Sequence, residues 1–343
     1  MFNKLQLILS PLVFASCVSM STLKIQVLEP ASVPVTPALE RAVLLNRMIL
    51  DHEKNYEIPD TLSPGSVIIE SFNRTTTEIL FSLADILNES PGIDYVDDSK
   101  LLEIKTDDVN FMPDLLEPNL VMLICDSLEA DGIISLESYY VEYIDAITEK
   151  QGVTESVWQN YYKGNTELQI YALWRTYIKT DGGLVDEYLI RDTMEWVHAA
   201  YTISEVRDNL PSTDEILLEG AYFTALTYAR RISPHWLENE RYYYSRGNYN
   251  LRVASHFIVN DQLDNAEMIY MELLEGRNNT IVAAACFNLA LIYELRGDYR
   301  QALVWARKSY HAKRNRITLD YIAILEERHT KSGELDKQLG IKK

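Results

Sequence analysis

The spacing of apolar residues along this chain switches between two and about 3.6, and each switch marks an element. In TLKIQVLEP, Leu23, Ile25 and Val27 alternate with polar neighbours and predict a strand. The prolines of PASVPVTP disfavour helix and favour extended chain. ERAVLLNRM predicts a second strand, and the polar, proline-containing run from Leu50 to Gly65 predicts a surface loop. The period then changes. Ile69, Phe72, Ile79, Leu80, Leu83, Ala84 and Leu87 predict an amphipathic helix that starts near Ser71 or Thr75 and stops at Pro91-Gly92. A short strand is expected at Ile93–Val96. A second helix is expected over residues 114–128, with Pro118 in its first turn and Leu120, Leu123, Ile124, Ser127 and Leu128 on one face. IISLESYYVEY reads as a strand by its β-branched and aromatic content, and a loop is expected near 145–165. ELQIYALWRTYIKTDGGLVDEYLIRDT predicts a β-hairpin turning at Asp181-Gly182-Gly183, where glycine tolerates positive φ.

Residues 212–232 predict a helix capped by Ser212 or Thr213, with Asp214 and Glu215 in the first turn, where the helix dipole favours anions. Its expected packing face is Leu218, Ala221, Ala225, Tyr228 and Ala229, and Pro234 ends it. HWLENERYYYS follows, with Trp236, Tyr242 and Tyr244 at even spacing, as a last strand or a lead-in to helical repeats. In AACFNLALIYELRGDYRQALVWARKS, the small residues Ala290 and Ala302 allow two helices to approach closely. Leu289 and Tyr293 fill the groove between them, and Gly297-Asp298 makes the turn. The unit before it places Ala254, Phe257, Leu263, Ala266, Tyr270 and Leu273 in the same roles. A third unit is expected to run through Tyr321-Ile322-Ala323 to Gly333-Glu334-Leu335. These units resemble tetratricopeptide repeats.

The order strand, strand, helix, strand, helix, strand, hairpin over 22–195 resembles the periplasmic α/β domain shared by the TolB amino-terminal domain, the curli-secretion lipoproteins and the lipoprotein activators of penicillin-binding proteins. RAVLLNRM, EADGIISLESYYVEY and YALWRTYIKTDGGLVDEYLI carry that resemblance, although Leu136 or Glu137 stands where a glycine is usual. Pro234, Trp236, Arg241, Tyr242 and Tyr243, together with the repeats, make the whole chain similar to a Bacteroidota-type family of tetratricopeptide-repeat lipoproteins. The expected class is therefore α+β. An amino-terminal α/β sandwich-like domain is followed by a short all-α repeat array.

The amino terminus bears on location. Lys4, an apolar run from Leu5 to Phe14, and the small residues Ala15-Ser16 before Cys17 have the layout of a signal peptide over 1–16. A cysteine at this place resembles a bacterial lipobox, which implies lipidation at Cys17. Ordinary cleavage further on is the alternative. The apolar run is shorter than the roughly 20 residues that span a bilayer. The expected layout is thus a signal peptide at 1–16, a lipidated α/β periplasmic domain at 17–245 with a bridging helix at 212–232, and repeats at 246–343. Val18-Ser19 carries no acidic cluster, so the expected address is the outer membrane, facing the periplasm.

A net charge of −19 repels nucleic acid and anionic headgroups, which sets both aside as partners. Cys125 and Cys286 sit in apolar runs and read as small buried hydrophobes. The six histidines have no metal-ligand spacing among them, and no HExxH, CxxC, phosphate loop or GxSxG elbow occurs. No cofactor or metal is expected. The acidic stretches DYVDDS and TDD lack the spacing of a calcium loop. A glycosidase-type carboxylate pair from distant positions is the enzymatic alternative. The favoured candidate is a concave repeat groove for a partner protein, lined by Asn248, Leu251, Ser255, Phe287, Leu291 and Glu294. Occlusion of that groove by the chain's own carboxy-terminal helix or by the α/β domain is the competing expectation. The expected function is a non-enzymatic envelope lipoprotein that scaffolds or regulates a protein assembly. An envelope hydrolase or glycan-binding protein, with its site in the α/β domain, is the second reading.

Overall fold

The computed structural model describes residues 18–33, 35, 38–50, 69–93, 95–106, 112–154 and 157–341. The signal peptide and Cys17, the expected loop at 51–65, and the acidic Asp107 and Asp108 lie outside the described residues. The fold is mixed α+β, with a sheet-rich amino-terminal part followed by a run of helices. The chain divides into two compact units. One holds residues 29–235 with 335–343. The other holds Trp236–Glu334 with the described part of the first 28 residues. The division therefore falls ten residues before the expected repeat boundary at 246, and the first strand belongs with the helices.

The sheet unit is built on five strands in the order β3-β2-β4-β5-β6. These are β2 (Arg41–Leu50), β3 (Tyr95–Thr106), β4 (Gly132–Thr154), β5 (Val157–Ile178) and β6 (Leu184–Ala200). β2 runs parallel to both β3 and β4, because α1 (Ile69–Asn88) and α2 (Pro118–Leu128) make the crossovers. β4, β5 and β6 form an antiparallel meander. On one face Leu44, Ile134, Leu136, Ile170 and Trp174 pack against Ile79, Leu83 and Leu87 of α1 and against α4 (Thr213–Ile232). Trp174 stacks on Tyr228 of α4 with centroids 4.8 Å apart and planes 4° from parallel. On the other face Val43, Leu45, Ile133 and Tyr177 meet Val121 and Cys125 of α2.

α4 begins with the expected Ser212 cap, completed by Glu215 as a reciprocal capping box. Such a cap contributes about 1 kcal/mol. Its buried face runs through Ile216, Gly220, Thr224, Tyr228 and Ile232, whereas Leu218 is exposed. Gly220 is needed for close approach, since a Cβ there would lie 2.5 Å from Leu168.

Two expectations fail here. The segment 145–165 is not a loop. β4 and β5 stay paired in register from Ile144↔Glu167 to Thr154↔Val157. Likewise β3 is far longer than Ile93–Val96. From Tyr143 to Gly152 no β4 side chain is buried, and on β5 the covered positions are the small Gly164 and Thr166, so apolar–polar alternation, the sequence signal for a strand, is absent although backbone pairing persists.

In the second unit β1 (Ser19–Glu29) pairs with β7 (His235–Arg246) as a two-stranded sheet. Ile25, Val27 and Tyr243 point inward. The inward phase of β7 is thus the odd positions Arg241 and Tyr243, and Trp236 and Tyr242 face out, opposite to a buried even-spaced row. α5 (Tyr249–Val259) pairs with α6 (Leu263–Leu273), and α7 (Asn279–Leu295) with α8 (Tyr299–Ala312). Ala254, Ala266, Ala290 and Ala302 are fully buried where the partners meet. Gly297 makes the α7–α8 turn at φ +75°. The expected third helix pair is instead one helix, α9 (Arg316–Gln338), which passes through Gly333 without a turn. Glycine inside a helix costs only about 1 kcal/mol, and i,i+4 pairs such as Lys331–Glu327 at 2.6 Å support the continuation.

Candidate functional site

The structure closes the expected repeat groove. Asn248 is exposed, but it caps α5 by accepting the Leu251 N–H at 2.7 Å. Leu251, Ser255, Phe287, Leu291 and Glu294 are all buried. The occupants are β7 and α9. Phe287 meets the ring of Tyr244 edge-on at 5.3 Å and that of Tyr321 at 4.8 Å. Glu294 accepts from Arg241 Nε at 2.9 Å and from the Tyr321 hydroxyl at 2.6 Å. Ser255 donates to the Ser245 carbonyl at 3.2 Å. Asn288 completes the closure. Its side-chain amide accepts the Tyr244 N–H at 2.8 Å and donates to the Tyr244 carbonyl at 2.8 Å, as a neighbouring strand would. These six residues are therefore core and cap positions, not an open docking surface. Sequence period reports that a helix face is apolar, and cannot report that a strand some forty residues upstream covers it.

Reactive groups are equally enclosed. Burial pushes both Cys125 and Cys286 thiols up to about 11, so neither is a thiolate near neutrality. Among the described residues no cluster of His, Cys, Asp or Glu is grouped to hold a metal ion, and no helix is long and apolar enough to cross a membrane.

The unusual chemistry of the sheet unit lies across β2, β4, β5 and β6. A register shift between Leu136 and Ser138 leaves Glu137 as the extra residue of a bulge. Its carboxylate is buried and pairs with Arg47 of β2 and, at 3.5 Å, with Arg175 of β5. Arg175 pairs in turn with Glu187 of β6 at 2.7 Å. Tyr177 donates to Glu137 at 3.3 Å. Burial lifts the Glu137 carboxyl above its ordinary value, against the pull of the two guanidiniums.

This row of alternating charges holds a strap. Arg175 Nη1 donates to the Pro113 carbonyl at 2.6 Å, and Arg47 Nη1 to the Asp114 carbonyl at 2.8 Å. The strap leads into α2, whose first helical residue is Pro118 and whose last turn closes on Glu129 at φ 55°. Gly182 of the β5–β6 turn lies directly beneath, because a Cβ there would stand 2.3 Å from the Pro118 carbonyl. α2 is thereby fixed with Val121 and Cys125 inward. The consequence is an apolar outer face. Leu115, Leu120 and Leu123 are 52%, 40% and 65% exposed. The face expected from the spacing, with Leu120 and Leu123, is not the buried one, which runs through Val121 and Cys125. The signal was present in NLVMLIC, a helix apolar nearly all round, which has more apolar surface than one sheet can cover. Acidic side chains frame the face: Asp114, Glu117, Asp126 and Glu129 are exposed.

Residues 39–244, more than half of the chain, match the family model described as a domain of unknown function, DUF8603. The chain belongs to the DUF8603 family. Within this DUF8603 protein, residues 252–327 match a second model, DUF6340, also described as a domain of unknown function. No curated protein matches the sequence. Solved structures with some likeness include one described as a neuraminyllactose-binding hemagglutinin homolog from Helicobacter pylori. It is 12% identical, with 59% of this chain and 88% of that one covered, at a TM-score of 0.22. Another is the hypothetical protein CT253 from Chlamydia trachomatis. It is 13% identical, with 56% and 96% covered, at a TM-score of 0.18. At such scores neither transfers a fold or an activity to the DUF8603 chain.

Proposed function

We propose that this DUF8603 protein is a non-enzymatic cell-envelope lipoprotein, anchored through Cys17, that scaffolds or regulates a protein assembly. The observation that carries the protein-binding part is the exposed leucine face on α2. Large apolar side chains grouped on a surface mark interaction sites more often than chance exposure does. The anchoring of the strap before α2 by Arg47 and Arg175, both paired with the buried Glu137, supports the same reading, since a pre-organised surface loses little entropy on binding. The anchor and the outer-membrane, periplasm-facing address rest on the amino-terminal sequence pattern. The helical unit is read as tetratricopeptide-type on its small-residue contacts at Ala290 and Ala302, and its groove serves internal packing by β7 and α9.

The test is membrane fractionation followed by crosslinking pull-down. The intact chain is expected in the membrane fraction with a defined protein partner, Cys17→Ala is expected in the soluble fraction, and Leu123→Lys is expected to lose the partner while staying membrane-bound. A Cys17→Ala chain that remains in the membrane refutes the anchor. A partner set unchanged by Leu123→Lys refutes the docking face.

A further inference from the structure

We propose that the α2 face receives an amphipathic helical segment of a partner protein, with its apolar stripe flanked by lysines or arginines. This inference rests on the scaffold reading above and names the partner's chemistry. Leu120 and Leu123 stand at i and i+3 on α2, and Leu115 of the strap that leads into α2 is exposed as well. A helix laid on such a stripe engages it through apolar residues at i, i+3 or i+4, and i+7.

Charge selects among apolar helices. Asp114 and Glu117 are exposed at the amino end of the face, and Asp126 and Glu129 at the carboxy end. The last turn of α2 holds no basic residue. Carboxylates there add to the negative end of the helix dipole, where cations are favoured instead. Lys179 answers Asp126 at 2.8 Å, on the side of the sheet turn. Cations brought by a partner would meet Asp114 and Glu117 at one end, and Glu129 with the dipole end at the other. The same rim disfavours two other occupants. A second copy of the chain would present identical acids to these, and an anionic lipid surface would be repelled by them.

The experiment uses the full chain purified in detergent. The probe is a synthetic helical peptide of about 18 residues, with leucines on one face and lysines on both flanks. A matched peptide carries glutamates in place of the lysines. The lysine peptide is expected to bind, and the glutamate peptide is not. Leu120→Ser with Leu123→Ser is expected to weaken binding about 30-fold. Glu117→Gln with Glu129→Gln is expected to weaken it about 5-fold, an effect that fades toward 1 M salt. All four side chains are exposed, so circular dichroism should report an intact fold in each variant. Equal binding of the lysine peptide to the double-serine chain would reveal charge attraction alone and overturn the proposal. So would binding of both peptides alike, or of neither. A doubled mass by light scattering that returns to monomer in the double-serine chain would assign the face to a second copy and overturn it too. A cellular partner captured through Leu123 but indifferent to the two carboxylate changes would refute the basic-partner inference and leave the scaffold reading intact.

Discussion

Glu137→Gln is the sharpest perturbation of the scaffold beneath the α2 face. Glu137 is the one carboxylate between Arg47 and Arg175, and its side chain is wholly buried. Removing one member of a buried ion pair costs about 3–5 kcal/mol, because the remaining charge stays buried. Each arginine retains other acceptors. Arg47 keeps the Asp114 carbonyl, and Arg175 keeps Glu187 and the Pro113 carbonyl. The low end, about 3 kcal/mol, is therefore expected. With a urea dependence of about 2–3 kcal/mol per molar for a domain of this size, the midpoint of the sheet unit should fall by about 1 M. The assay is urea unfolding followed by hydrogen exchange of peptides from β4 and α2, which isolates this unit from the helical one. The 112–117 strap should exchange fastest, since its carbonyl anchors depend on the placement of both arginines. A midpoint shift below about 0.3 M, or a strap that exchanges no faster than in the wild type, would refute the claim that the charge row holds the strap.

Other expectations concern separate parts of the molecule. Gly182 has φ +67°, and a Cβ would collide with the Pro118 carbonyl. Gly182→Ala should therefore cost more than about 1 kcal/mol in thermal or urea unfolding and accelerate exchange in the first turn of α2; unchanged stability would show that this contact does not fix the helix. Burial holds the His235 imidazole below its ordinary 6.5, so the unfolded chain takes up a proton first as pH falls. Stability from this group should be complete above pH 6.5 and decline below it, and His235→Gln should flatten that decline in unfolding measured at successive pH values. An identical pH profile in the variant would contradict the assignment. Cys125 and Cys286, with thiols near 11, should resist a thiol reagent at about pH 8 in the native chain and both react once it is unfolded. Tyr321→Phe removes the hydroxyl on Glu294 that clamps α9 over the helical core. It should lower the unfolding free energy of that unit by about 1–2 kcal/mol in urea unfolding, and no change would make the clamp dispensable.

Elements whose cause is local were legible from the sequence. Ser212 with Glu215, Asp181-Gly182-Gly183 and Gly297 each carry their own turn or cap chemistry, and each stands where it was expected. Elements whose cause is tertiary were not. β1 pairs with β7 across more than two hundred residues, and nothing local in TLKIQVLEP names that partner. The outer β4–β5 pairing survives without an apolar face, so period-two analysis reads it as loop. Gly333 looked like a turn, yet a turn needs chain that reverses direction and finds a partner helix. The candidate site shows the same limit. The six groove positions were expected on a concave face open to a partner, but β7 and α9 cover Phe287 and Glu294 from within the chain and Asn248 is a helix cap. In NLVMLIC the spacing groups Leu120 and Leu123 with Ile124 on one face. Only the register of Val121 and Cys125 against the sheet shows that Leu120 and Leu123 are left outside.

The central claim is that the outer face of α2 is where this protein meets its partner. The most direct measurement is in-cell photo-crosslinking, with a photoreactive residue at position 123 and a control at the exposed position 195 on β6. The account predicts one defined protein adduct from position 123, none of the same species from 195, and loss of the adduct when Leu120 becomes Lys. The same adduct pattern from both positions, or adducts only to lipid from position 123, would contradict it.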